Sequence, residues 1–180
     1  MFEDVRVLIK GAGDLATGVA ARLWRSGFPV VMTELAEPLT IRRTVALAEA
    51  VYTGEVTVEE ITARCVNDFA EIKPTWRENV IPILVGCDEA CVAAVKPEVL
   101  VDAILAKRNV GTRITDAPFV IGLGPGFTAG HDVHARMEHR HVARRAGTAA
   151  RPGLPLGVLL SPMGPGNGAQ RLRARADRYR

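Results

Sequence analysis

Two periods of apolar residues alternate along the first three quarters of the chain. Residues 5–9, VRVLI, form a short β-branched run that reads as a buried strand. From Asp14 to Ser26 the apolar positions Leu15, Val19 and Leu23 recur at i, i+4 and i+8, one stripe of a helix that Gly27 stops. PVVMTE (29–34) is a second strand, so the chain opens strand, helix, strand. AVYTGEVTVEEITARCV alternates apolar and polar residues around Thr53-Gly54 and predicts a hairpin or short strand pair. VIPILVG (80–86) and EVLVDAIL (98–105) are further buried strands, separated by a short helix containing Ala90, Val92 and Val95. PFVIGLG (118–124) reads as the last strand. Strands alternating with helices predict an α/β fold, a Rossmann-like, mostly parallel sheet with helices on both faces. Right-handed crossovers then gather the strand C-termini on one edge, where ligands of such sheets bind.

Composition sharpens this picture in one place. With 180 residues, 48% of them hydrophobic, the chain can bury one respectable core. The net charge of +3 hides a division, because residues 1–135 carry −5 and residues 136–180 carry +8. All ten cations of the second segment are Arg, and Gly and Pro fill 10 of its 45 positions, without helical or alternating period. The expectation is a Rossmann-like domain over 1–135 followed by a basic tail, 136–180, that is largely disordered. An RNA-binding arm, a solvated linker and an out-of-frame stretch of a GC-rich gene all fit such a tail. MFEDVRVLIK lacks the basic, apolar and small-residue sequence of a secretory signal, and no apolar run approaches the roughly 20 residues that span a bilayer. A cytoplasmic protein with no membrane partner is expected. Three cysteines, Cys65, Cys87 and Cys91, are an odd number without framework spacing and read as free thiols.

Candidate chemistry gathers at the strand ends. Gly11-Ala12-Gly13-Asp14-Leu15-Ala16 is G-x-G-x-x-A between a predicted strand and a predicted helix, the context a dinucleotide-binding turn requires. Gly11 permits the turn, Gly13 lets a pyrophosphate approach the backbone, and Ala16 allows close helix–strand packing. Glu34, 21 residues after Gly13, stands where an acidic side chain takes ribose hydroxyls. Against this, the Asp14 carboxylate can cap the helix amides itself and repel a phosphate, which leaves a purely structural corner as the alternative. Arg42 and Arg43 suit a bidentate clamp on a phosphate or carboxylate, or a solvated pair. AKRNVGTRITDAP (106–118) packs Lys107, Arg108, Asn109, Thr112, Arg113 and Asp116 into one loop at a strand end. GLGPGFTAG (122–130) adds a second glycine-rich turn, with Gly124 and Gly126. His131-Asp132-Val133-His134 and the pair Cys87 and Cys91 invite a metal reading; polar surface and core account for them better, and no metal site is expected. No nucleophile elbow and no glycosidase carboxylate pair appears.

These residues also carry a family resemblance. VLIKGAGDLATGVAARLWRSGFPVVMTELAEPLTIRRTVALAEAVYTGEVTVEEITARCV, together with VDAILAKRNVGTRITDAPFVIGLGPGFTAGHDVHA, resembles the YqeB family, accessory proteins of the selenium-dependent molybdenum hydroxylase system. The resemblance covers about residues 5–135, and its motifs fall on Gly11, Gly13, Asp14, Arg42, Arg43, Lys107, Arg108, Asn109, Thr112, Arg113, Asp116, Gly124, Gly126, Asp132 and His134. It implies a Rossmann-like domain and a role in preparing or inserting a selenium or sulfur ligand on the molybdenum cofactor of a hydroxylase client. After Ala135 the resemblance stops where the all-arginine segment begins, which favours the out-of-frame origin of the tail. The function expected is therefore molybdenum hydroxylase maturation through a nucleotide or pterin phosphate bound at the strand edge. NAD-dependent oxidation of an unknown substrate is the first alternative, and nucleic-acid binding through the tail, the less expected one, is the second.

Overall fold

The computed structural model describes residues 4–86, 88–137 and 158–160. They build one nine-stranded sheet in the order β3-β4-β5-β2-β1-β6-β7-β8-β9. At its centre β1 (Val7–Lys10) pairs in parallel with β2 (Val30–Glu34) on one side and β6 (Val99–Asp102) on the other. β5 (Ile81–Val85) and β4 (Ile61–Val66) extend the sheet beyond β2, and β7 (Phe119–Leu123) and β8 (Ala135–Met137) beyond β6, all in parallel pairs. The outermost pairs are antiparallel: β3 (Glu55–Val58) with β4, and β8 with β9 (Val158–Leu160).

Strand alternation assigns side chains to two cores. Val7 and Ile9 face one side with Val30, Met32, Ile81, Ile83 and Val101, covered by α1 (Asp14–Arg25). Leu8 faces the other with Val31, Leu84, Leu100 and Val120, covered by α3 (Ile72–Arg77) and α4 (Asp88–Val95). Helices on both faces explain why the central strands are apolar at successive positions rather than alternating. The chain winds from β1 through β2 towards β5, then crosses back to β6 on the far side of β1. The C-terminal ends of β1 and β6 therefore flank the point where winding reverses, and the parallel ladders align Lys10 with Asp102 there.

Several local expectations need correction. The helical stripe Leu15, Val19, Leu23 is not the buried face of α1: Ala16, Thr17 and Ala20 are buried and Leu15 is exposed. A helix lying close to a sheet puts small side chains under its axis and lets larger ones flank it, as Val19 and Leu23 do here. The strand pair does not turn at Thr53-Gly54. Those residues close a short helix, α2 (Ala50–Thr53), with Gly54 at φ +84°, and the hairpin turns at Glu59-Glu60. PFVIGLG is not the last strand, since β8 follows it and runs across residue 135. The expected disorder of the tail concerns residues that, apart from 136, 137 and 158–160, lie outside the described ones, as does Cys87. Among the described residues no helix is long and apolar enough to cross a membrane.

Candidate functional site at the strand ends

The glycine turn is held rigidly from behind. The Gly11 amide donates to the Thr33 carbonyl at 2.9 Å, and its φ of +91° belongs to the left-handed region that favours glycine. A Cβ there would also crowd the Ala103 carbonyl at 3.3 Å. The Ala12 carbonyl accepts from the Ala48 amide at 2.9 Å, and Thr17 Oγ1, buried under α1, accepts from the Leu47 amide at 2.9 Å. Gly13 is different. Its φ of −63° and ψ of −179° suit any residue, and an added Cβ would meet nothing nearer than Thr40 Oγ1 at 3.9 Å. Neither backbone strain nor packing in the protein asks for glycine at 13.

Two carboxylates stand at this turn. Glu34 Oε2 accepts from the Ala12 amide at 2.7 Å and Oε1 from the Leu35 amide at 2.8 Å, so the side chain staples β2 to the turn. An ionised carboxylate has about four lone-pair sites, and the other two remain able to accept from hydroxyls. Asp14 Oδ1 accepts from the Leu15 amide at 3.0 Å, and Oδ2 accepts from the Arg42 guanidinium, whose Nε lies at 3.0 Å. The Arg42 contact holds the Asp14 carboxyl below the usual carboxylate range. Asp14 thus takes one amide of the helix start, while among the described residues the Gly13 amide has no acceptor. Arg43 faces elsewhere: it pairs with Glu49 at 2.8 Å and lies 4.4 Å over the Tyr52 ring.

On the other side of the winding reversal, the expected Thr112 and Asp116 join two residues missed in the sequence, Lys10 and Asp102, in a polar cluster that closes the ends of β1 and β6. Lys10 and Asp102 are 4% and 2% exposed. Lys10 Nζ donates to Thr112 Oγ1 at 3.0 Å, and Thr112 Oγ1 donates to Asp102 Oδ2 at 2.6 Å. Asp116 Oδ2 lies 3.8 Å from Lys10 Nζ and accepts from the Arg113 amide at 2.9 Å. The cluster pins the loop after β6. Within that loop Asn109 Oδ1 accepts from the amides of Gly111 and Thr112 at 3.0 and 2.9 Å, a local turn. Lys107 and Arg108 are exposed, and among the described residues neither has an ion-pair partner.

The second glycine-rich turn supports this loop. A Cβ at Gly126 would lie 2.7 Å from the Arg108 carbonyl carbon and 2.8 Å from the Ala106 oxygen, so glycine there lets two backbones touch. Gly124 has φ +103°. Asp132 Oδ2 accepts from the Thr128 amide at 2.8 Å and Oδ1 contacts His131 Nδ1 at 3.0 Å; the Thr128 amide, then His131, hold this carboxyl below its ordinary range. His134 turns away, its Nδ1 accepting from the Val120 amide at 3.0 Å beside Phe119. Among the described residues no three potential metal ligands converge. Between the loops after β6 and β7 lies an open depression of about 360 Å³, walled by Asn109, Thr112, Arg113, Ile114, His131 and Asp132.

The structure therefore sorts the sequence candidates. Gly11, Gly13, Asp14, Glu34 and Arg42 meet at one corner; Asn109, Thr112, Arg113 and Asp116 meet beside Lys10 and Asp102; Gly124 and Gly126 shape the loop backing; Arg43 joins neither group. Lys10 and Asp102 did leave a signal in the sequence, a single charge ending each of the apolar runs VLIK and VLVD.

The chain is 52% identical over 134 residues to the protein named uncharacterized protein YqeB of Escherichia coli strain K12. The match covers 73% of this chain and 24% of that protein, so the chain spans about a quarter of the relative's length. No family model and no solved structure matches the chain.

Proposed function

This chain belongs to the YqeB family, and from that premise we propose that its strand-end corner binds the phosphate of a nucleotide or a pterin in the service of molybdenum hydroxylase maturation. The client would be a selenium-dependent enzyme whose molybdenum cofactor receives its selenium or sulfur ligand with this protein's help. One observation carries the binding part: Gly13 has ordinary backbone angles, open space where a side chain would stand, and an amide without an acceptor among the described residues. Glycine is a favoured cap at this helix start, but neither strain nor packing requires it, and bare backbone there is also what an approaching phosphate needs, which supports the reading. The corner fits such a group in two further ways. Glu34 keeps lone pairs for ribose hydroxyls while bracing the turn. Arg42, exposed and paired to Asp14, can exchange that carboxylate for a phosphate at small cost, since exposed ion pairs contribute at most about 1 kcal/mol.

Glu34 beside the turn equally favours a second reading, an NAD-dependent oxidoreductase, in which a nicotinamide would supply hydride transfer. Calorimetric titration of the full chain with NAD, NADP, ATP, CTP and molybdopterin separates the two by the ligand that binds. Gly13→Ala supplies the test of place. It is expected to weaken binding about tenfold or more while changing stability by no more than about 1 kcal/mol. Equal affinity of the variant and the parent would remove the corner from the site.

A further inference from the structure

The segment between β2 and α2 reverses the usual polarity of a loop. Leu39 and Ile41 are 91% and 98% exposed, while Thr40 between them is half-buried. Water favours the opposite arrangement, with the aliphatic side chains turned in and the hydroxyl out. The segment is held in this pose at both ends. Pro38 is buried and its carbonyl accepts from the Tyr52 hydroxyl at 3.1 Å, and Arg42 pairs with Asp14. Between these tethers Thr40 is aimed at the glycine corner. Apart from chain neighbours, its Oγ1 is the nearest atom to the place a Cβ on Gly13 would occupy, at 3.9 Å.

The fold itself makes no use of that hydroxyl. Among the described residues Thr40 Oγ1 has no hydrogen-bond partner, and no buried side-chain oxygen or nitrogen lacks one, so this hydroxyl is open to solvent. The two carboxylates of the corner are engaged with other donors: Glu34 with the amides of Ala12 and Leu35, Asp14 with the Leu15 amide and Arg42. An O–H and the Gly13 N–H, both unanswered, therefore border one open space. We propose that Thr40 is a phosphate-binding residue of the corner, its hydroxyl donating to an oxygen of the same phosphate that the Gly13 amide binds. The proposal rests on the phosphate reading of the corner and adds to it a side chain that the turn motif does not contain. A hydroxyl suits the place because it rotates to meet its acceptor and donates to a charged oxygen more strongly than to a neutral one. Leu39 and Ile41 stand in water because the residue between them faces the ligand, a local rule broken where function requires it.

The test uses the full chain, labelled with nitrogen-15, and inorganic pyrophosphate, a probe that carries the phosphate chemistry without a ring. Chloride at the same ionic strength is the reference. A saturable shift of the Gly13 amide is expected in the parent chain. Thr40→Val keeps the shape of the side chain and removes the hydroxyl, and it should weaken binding about tenfold, the loss of one hydrogen bond to a charged group. Thr40→Ser should restore most of that affinity. Because the hydroxyl has no partner within the protein, Thr40→Val should leave the melting temperature unchanged or higher. Parent-like affinity in Thr40→Val overturns this proposal alone, since the corner still binds. Weakened binding that comes with a lower melting temperature, or that serine does not restore, overturns it as well by making Thr40 a packing residue. A parent chain whose Gly13 amide moves no more than with chloride overturns the phosphate reading of the corner, and this proposal with it.

Discussion

His134 illustrates how a single residue couples place to pH. Burial pushes its pKa below the ordinary histidine value, and its Nδ1 must stay unprotonated to accept from the Val120 amide at 3.0 Å. The folded state therefore binds the imidazole proton less readily than the unfolded chain, which takes it up near pH ~6.5. Stability from this group is complete above that value and declines as the pH falls below it. The melting temperature should drop between about pH 7 and pH 5, and the drop should shrink in His134→Gln, whose amide oxygen can still accept. An equal drop in the variant would assign the pH dependence elsewhere. Legibility at this scale depended on whether a residue's role was local. Gly11 and Gly13 could be read from their spacing, but the Glu34 carboxylate's bond to the Ala12 amide joins residues 22 apart, and the Lys10–Thr112 bond joins residues 102 apart. The motif's spacing placed Glu34 near the turn but not its bond to the Ala12 amide, and Lys10 and Asp102 went unread although each is a lone charge ending an apolar strand.

At the level of elements, period and breakers gave β1, β2, β5, β6 and β7 and the length of α1, because burial on both faces leaves continuous apolar runs. What escaped was set by tertiary packing. α3 contains Pro74 and is only six residues long, too short for a periodic stripe; a capping box at Asp68 and Glu71 starts the turn that leads into it. The buried face of α1 was misread because large apolar residues dominate a stripe while small ones set the approach to a sheet. The loop after β6 is likewise shaped by an element distant in sequence, the turn at Gly126. Gly126→Ala should destabilise the protein by about 1–3 kcal/mol, since the added methyl meets backbone atoms that have no rotamer to escape into. Denaturant unfolding checks the energy, and unchanged stability would show that the two loops separate freely.

The whole molecule brings its chemistry to one edge by topology. β1 has β2 on one side and β6 on the other, so the winding reverses between the glycine corner and the Lys10 cluster. Rimming that edge, Leu39 and Ile41 are 91% and 98% exposed on either side of Thr40, which faces Gly13. The fold class, and the edge on which the strand C-termini gather, were readable from the order of strands and helices. The two-sidedness of the edge was not, since it depends on which face each strand-end residue takes. The most direct measurement is a crystal structure of the full chain grown with the nucleotide that binds it in solution. The account predicts phosphate oxygens about 2.7–3.2 Å from the Gly13 amide, with Arg42 moved from Asp14 onto the ligand. Nucleotide density elsewhere, with Arg42 still on Asp14 and nothing against Gly13, would contradict it.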